Sequence, residues 1–570
     1  MYDLVIRNGL IYDGNGSPPF LSNIGITDSV IKEIGDVKST GKKEIDAKDH
    51  IVTPGFIDIH THFDGQVTWD PLLTPSNFHG VTTAIMGNCG VGFAPCLPSK
   101  RDWLIGLMEG VEDIPGSALA EGIKWNWESF PEYMDAVEKI PRAIDVGLQV
   151  PHGAVRAYVM GERAENLELA SEEDINQMGQ IVEEALKHGA MGFTTSRTFK
   201  HRDKHGKHTP TFEADAAELQ GIAKSISNAN KGVIQLISDF YRFEYEFNLI
   251  RGMTKISGRP ISVTIEQDDR YPEIWKNVLK SISNEAKNGL KIKGQVPPRP
   301  TGVLQGLTAT LNPFLFHKTF SEITGLSLQE KVQKLREPKF RDKLLQEKPI
   351  MKGETDSEKL ITFLLTSYHK MFGLGDPPNY EPDPSQSMLE IAKREGKNPK
   401  EVILDKMLEK DGNALLYFPL FNYSRGNLDD VRYMLTHEHT AFGLGDAGAH
   451  CGVLCDASFP TTLLTHWTRD RTRGNKLPLE WVVMKQTKNN AEWFGLYDRG
   501  VIEEGKKADM NIIDYENLTL NHPEIVYDLP GSNKRLIQRT NGYRETIISG
   551  KVAFQNGEST GIMNGNLVRN

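Results

Sequence analysis

Cysteine is scarce, with only Cys89, Cys96, Cys451 and Cys455 in 570 residues. So few thiols in so long a chain exclude a disulfide scaffold and predict a reducing, cytoplasmic setting. Long apolar runs are missing too, since no stretch approaches the ~20 consecutive apolar residues a membrane helix needs. The opening "MYDLVIRNGLIYDG" has no basic flank before an apolar run, so no signal peptide is expected. Nor is there an excess of positive charge. The net charge of −10 gives no overall attraction to phosphate backbones or anionic lipid, which argues against nucleic-acid and membrane partners. What remains is 38% hydrophobic and 25% charged residues, enough to bury a large core. The expected partner is a small-molecule substrate, with a homo-oligomer left open.

The texture of the chain changes twice. Residues 1–54 alternate apolar and polar between Gly and Asn turns, and residues 501–570 do the same in "ADMNIIDYENL" and "GYRETIISGKVAF". Neither segment is long enough to bury a core alone, so the two are expected to join in one small β-sandwich. Between them, over residues 55–500, short apolar runs recur: "GFIDIHTH", "VTTAIMGNCG", "DVGLQVPHG", "GAMGFTTSR", "GVIQLISDF", "RPISVTIEQ", "LKIKGQVPPRP" and "TAFGLGDAGAH". Helical stretches separate many of them. In "SEEDINQMGQIVEEALKHG", Ile175, Met178, Ile181 and Val182 fall at helical spacing behind an acidic N-terminus. Eight buried strands alternating with helices predict an α/β fold, a (β/α)8 TIM-like barrel. About 140 residues separate the seventh and eighth runs, and an insertion at about 301–400 is expected there as a lid or substrate wall.

Barrel enzymes place their chemistry at the carboxyl ends of the strands. Here those ends are all polar: His60 and His62, Cys89, His152, Ser196 and Arg197, Ser238 and Asp239, Glu266 and Gln267, Arg299, and Asp446 followed by His450. Side chains two apart in a strand share a face, so His60 and His62 aim at one point. Strands one and eight become neighbours when the barrel closes, which brings Asp446 to that pair. Two imidazoles and a carboxylate make an open divalent-metal site, with zinc the leading candidate, and a Cys89 thiolate would add a strong ligand. Arg197 and Arg299 could each grip a substrate carboxylate through a two-pronged hydrogen bond. His201, His205 and His208 in "KHRDKHGKH" read as a solvated loop.

These residues, in this order, resemble the amidohydrolase superfamily, and more narrowly its N-acyl-D-amino-acid deacylase branch. The resemblance spans nearly the whole length, through "DLVIRNGLIYDGNGSP", "VTPGFIDIHTHFD", "GVTTAIMGNCGVGFAP" and "DRGVIEEGKKADMNIID". "GNCG" is its most specific element, because that branch uses a strand-two cysteine where relatives use a carboxylated strand-four lysine. The resemblance implies His60, His62 and Asp446 as one metal site and Cys89 as bridging or second-site ligand. It also implies a histidine at the ends of strands five and six. This chain has "LISDF" and "TIEQDD" there. Either one ion is held by His60, His62 and Asp446, or Asp239 and Glu266 replace the histidines, or metal binding is lost.

The expected activity is metal-assisted hydrolysis of an amide of an N-acyl amino acid. Asp446 would be general base and then acid, because a departing amine needs a proton. His152 or His450 would hydrogen-bond the developing oxyanion. The rivals are hydrolysis of a cyclic amide, ester or lactone on the same groups, and a catalytically inactive barrel that only binds.

Overall fold

The structure, a computed structural model, describes residues 1–351, 353 and 355–570. Eight strands follow one another in sequence order in one parallel sheet, and a ninth, Leu567–Val568, pairs in parallel beside the third. The eight are β1 (Phe56–Thr61), β2 (Val81–Met86), β3 (Asp145–Pro151), β4 (Gly192–Arg197), β5 (Val233–Ser238), β6 (Ile261–Thr264), β7 (Ile292–Val296) and β8 (Thr440–Phe442). Every residue of β1 to β6 is buried, as a parallel sheet covered by helices requires, and this is why the runs show no polar alternation. The helix foreseen before β4 runs Glu172–Lys187. Ser171 caps it by accepting from Asp174 N, and the Asp174 carboxylate accepts in return from Ser171 N. Its Met178, Val182 and Leu186 turn into the core.

The sheet closes in a way that matters for the chemistry. β8 is only three residues long, so it ends before the polar groups at its carboxyl side. Closure is completed by the segment that follows. His62 N donates to Ala447 O at 2.8 Å, and Asp446 N donates to His60 O at 3.1 Å. The backbone bonds that shut the barrel therefore also set Asp446 beside the two histidines.

The two ends of the chain build one nine-stranded sheet. Its N-terminal part holds Tyr2–Ile11, Phe20–Thr27, Val30–Gly35, Gly41–Asp46 and Ile51–Pro54, and its C-terminal part holds Met510–Ile513, Tyr543–Ile548, Lys551–Gln555 and Glu558–Ser559. The halves join where Ile51–Pro54 runs antiparallel to Met510–Ile513. One shared cluster, with Ile6, Ile26, Val52, Met510 and Ile547, fills the face.

The insertion between β7 and β8 occupies residues 297–439, further than the expected 301–400. Its last strand, Leu416–Pro419, returns to pair with Gly302–Gln305 and with Phe372–Gly373, so the unit cannot end earlier. It has its own core, including Leu335, Leu344, Met388, Ile403, Met407 and Phe418. Among the described residues no helix is long and apolar enough to cross a membrane.

Candidate metal centre

His60 is the penultimate residue of β1 and His62 lies one residue beyond the strand, both essentially without solvent exposure. His60 Nε2 lies 3.2 Å from Asp446 Oδ1, His62 Nε2 lies 3.5 Å from the same oxygen, and Cys89 Sγ is 3.3 Å from His60 Nε2. One donor atom each from His60, His62 and Cys89 falls within a 4.8 Å circle. Cys89 reaches this point through a strained turn after β2. Its φ is +56°, an uncommon conformation for a residue with a side chain, and its N–H is held by Gln235 Oε1 at 3.0 Å. The turn needs Gly87, whose added Cβ would meet Gln149 O at 2.3 Å. Asp446 and His450 also sit at positive φ, +44° and +51°. Such conformations persist where the surroundings over-determine them, which is common at functional sites.

The outer nitrogen of each imidazole faces an oxygen, and that of His60 is hydrogen-bonded to it. His60 Nδ1 donates to Gln295 Oε1 at 2.7 Å, leaving the Nε2 lone pair facing inward. His62 Nδ1 faces Glu112 Oε1 at 3.4 Å, a buried carboxylate on helix α1 (Arg101–Glu112). Burial pushes His60 down to about 4, so its ring is neutral near pH 7. Burial pushes the Cys89 thiol up to about 12, so it becomes a thiolate only beside a strong cation. Burial alone would raise Asp446, but the close approach of His62, with His60 and His450 also beside it, holds it below the usual carboxylate range. Asp446 Oδ1 is nevertheless a buried oxygen without a hydrogen-bond partner. An acceptor 3.2 and 3.5 Å from two imidazole nitrogens, hydrogen-bonded to neither, suits a divalent cation placed among His60, His62 and Cys89 with Asp446 beside them. The N, N, S, O donor set is one that zinc accepts.

The amidohydrolase family pattern matches residues 43–345 and 413–554, most of the chain. The chain belongs to that family. Over 598 aligned residues this amidohydrolase is 26% identical to an uncharacterized protein of Mycobacterium tuberculosis, covering 98% of this chain and 93% of that one. It is 32% identical over 195 residues to the D-aminoacylase of Alcaligenes xylosoxydans xylosoxydans, covering 34% of this chain and 37% of that one. Among solved structures, a crystal structure of D-aminoacylase superposes with a TM-score of 0.65 at 21% identity over the full length of both chains. The N-acyl-D-glutamate deacylase of Bordetella bronchiseptica, in complex with zinc and a phosphonate mimic of the tetrahedral intermediate, gives 0.65 at 20%, again over both full lengths. The amidohydrolase thus has the fold and relatives of the D-aminoacylase-like branch.

The other expected site residues go to different places. His450 stands beside the centre with its side chain 27% exposed, its Nε2 3.8 Å from Glu112 Oε2. His152 is enclosed, with Nδ1 2.9 Å from Thr195 Oγ1 and Nε2 2.8 Å from Glu218 Oε1. Arg197 is buried against Glu246 through two hydrogen bonds, of 2.7 and 3.1 Å, and also donates to Ala214 O. Arg299 donates to Thr462, to Cys455 O and to Asp456, and its guanidinium lies 3.6 Å over the Tyr380 ring. Both guanidinium groups are thus engaged inside the protein rather than turned toward the centre. Asp239 accepts from Thr198 Oγ1 and Phe199 N, both at 2.7 Å, and Glu266 accepts from Thr301 Oγ1 at 2.6 Å. These two carboxylates hold loops.

Sequence reasoning missed Glu112, Gln295, Gln235 and His201. His201 was read as part of a solvated loop, but its Nδ1 is 2.9 Å from Ser196 Oγ at the end of β4. Burial pushes its ring down to about 3, with His62, His450 and Asp446 among its electrostatic neighbours. Its short distance beyond Arg197 in the chain was the signal, since a residue four past a barrel strand is still at the barrel mouth. His205 stays exposed, and His208 stacks on Phe212 at 4.0 Å.

Proposed function

We propose that this amidohydrolase hydrolyses the amide bond of an N-acyl amino acid, using one divalent ion, zinc by preference, held by His60, His62, Cys89 and Asp446. The observation that carries the reading is the unpartnered, buried Asp446 Oδ1 between two oriented imidazoles beside the Cys89 sulfur. The relatives named above give the substrate class: D-aminoacylase and N-acyl-D-glutamate deacylase are by name enzymes of N-acyl-D-amino acids. A solved D-aminoacylase is described as having a binuclear metal centre with one-metal activation and second-metal attenuation, which agrees with a single working ion here.

An ion bound at this centre would supply Lewis acidity to the scissile carbonyl and to the attacking water. The protein's own groups do the rest. Asp446, ionised because His60 and His62 flank it, accepts the proton of the attacking water and delivers it to the departing nitrogen. Gln295 and Glu112 hold the two imidazoles at their angles, so the carboxylate always meets the same geometry. His450, half-open beside the centre, is placed to donate to the developing oxyanion.

The test is elemental mass spectrometry on protein purified without added metal, with N-acyl amino acids of both hands, hydantoins and lactones assayed on the same sample. One tightly held equivalent and turnover of N-acyl amino acids are expected. Two full equivalents after extensive dialysis would point to a second site, and turnover confined to lactones would replace the amide reading.

A further inference from the structure

A cleft of about 1410 Å³, open to solvent, lies over the carboxyl ends of β4 to β6. Its walls come from the loops after those strands and from the insertion, and they are mainly apolar: Phe199, Tyr241, Phe363, Leu420 and Phe421. Phe199 and Tyr241 stack at 5.6 Å, and Tyr241 keeps 43% of its surface exposed. Aromatic surface held open at a barrel mouth is characteristic of a ligand site rather than of a core. Phe363 belongs to helix Asp356–Thr366, inside residues 346–412, a stretch the family pattern does not match.

One cation stands at the inner end of this cleft. Lys200 lines it and also lines a smaller cavity of about 450 Å³, formed with Asp239 and Glu266 at the ends of β5 and β6. The other charged groups nearby are committed elsewhere. Arg270 pairs with Asp268 at 2.5 Å, and Asp269 receives hydrogen bonds from Lys370 and from Ser424, the latter at 2.6 Å. The Lys200 ammonium lies 4.0 Å from the centre of the Phe421 ring and 3.7 Å from Asp239 Oδ1, beyond hydrogen-bond length. Both Asp239 oxygens already accept from Thr198 and Phe199. Among the described residues, Lys200 Nζ has no hydrogen-bond acceptor. A partly buried ammonium with donors to offer is a ready anchor for a carboxylate.

The next residue, His201, turns to Ser196 and has His62, His450 and Asp446 among its electrostatic neighbours. Glu266, which lines the smaller cavity with Lys200, has both Lys200 and Asp446 among its electrostatic neighbours, so the anchor and the centre open on the same stretch of the barrel mouth. We infer that Lys200 binds the α-carboxylate of the substrate and that the cleft takes a large apolar or aromatic side chain beside it. The substrate class is then N-acyl derivatives of amino acids such as phenylalanine or leucine, rather than of acidic ones. This rests on the amide-hydrolase reading for the ligand's identity, and it gives Lys200 the role that Arg197, engaged by Glu246, leaves open.

The experiment reads binding without turnover. N-Methanesulfonyl-phenylalanine, whose sulfonamide resists hydrolysis, and its carboxamide are titrated calorimetrically into the intact protein, both enantiomers of each. A carboxylate accepting hydrogen bonds from an ammonium is worth roughly ten- to a hundredfold in affinity. The acid should bind the wild type tighter than the amide by that factor. Lys200→Met keeps the apolar stem and should erase the preference, whereas Lys200→Arg should keep most of it. Phe421→Ala should weaken acid and amide alike. Equal affinity for acid and amide in the wild type, a preference that survives Lys200→Met, or no binding of either compound would each overturn the inference. Binding as described by a protein that turns over no N-acyl amino acid would keep the anchor and discard the amidase reading, and the converse result would do the opposite.

Discussion

Replacing Asp446 by Asn tests the proton shuttle with little else disturbed. The substitution is nearly isosteric. Asn also tolerates the positive φ of +44° at this position. The Asp446 N–H bond to His60 O, which helps close the barrel, uses only backbone and survives the change. The side chain caps nothing, since Oδ1 has no hydrogen-bond partner, so fold stability should move by less than about 0.5 kcal/mol, the ordinary range away from special contacts. Chemistry should suffer far more. A positioned general acid–base group contributes roughly a hundredfold to ten-thousandfold, equivalent to about 3 to 5 kcal/mol of barrel-mouth transition-state stabilisation. The Asn amide retains an oxygen 3.2 Å from His60 Nε2 in place of the carboxylate, so some metal affinity should remain. The assay is kcat on N-acyl amino acids with metal content measured on the same preparation, because loss of the ion imitates loss of the base. A variant that keeps its metal and turns over within a few-fold of wild type would refute the role given to Asp446.

Glu112→Gln, which weakens the carboxylate support of His62 across 3.4 Å, should lower metal affinity about ten- to a hundredfold by competition with a chelating dye. Unchanged affinity would make Glu112 structural only. Arg197→Ala strips the buried Glu246 of its two-pronged partner, leaving Ser238 Oγ at 3.3 Å and Arg242 at 3.6 Å, and should cost about 3 kcal/mol in denaturant unfolding. A marginal stability change with a large rise in KM would instead return Arg197 to the substrate. Glu381 is held down to about 2, from an ordinary 4.5, because hydrogen bonds from His466 and Arg471 outweigh its burial. A depressed carboxyl gives stability that is complete above the unfolded value and fades as pH falls from 4.5 toward 2. The wild type should therefore lose more stability between pH 5 and 3 than Glu381→Gln does, and equal losses would count against this ion pair.

The barrel was legible because short, mostly apolar runs ending in polar residues recur between helical stretches, and β1 to β7 begin and end close to where those runs do. The candidate ligands were legible for the same reason: once strand order is known, His60, Cys89 and Asp446 must lie at one mouth. The groups that orient them were not. Gln295 reaches His60 from β7, and Glu112 reaches His62 from the last turn of α1, 50 residues along the chain. No spacing rule links such residues, because they meet only through packing. The expected roles of Arg197 and His152 depended on charges the sequence could not place, since Glu246 and Glu218 lie on helices whose inward faces look like ordinary amphipathic stripes. Lys200 and His201 were hidden in a charged run of which only part is solvated.

The most direct test of the central claim is a paired titration: metal content and hydrolysis of N-acyl amino acids, followed together as the protein is stripped by a chelator and reloaded with zinc. Activity should vanish with the ion and return in proportion to occupancy, saturating at one equivalent. His60→Asn together with Cys89→Ala should neither hold the ion nor regain activity. Full amidase activity in metal-free protein, or no hydrolysis at full occupancy, would contradict the account.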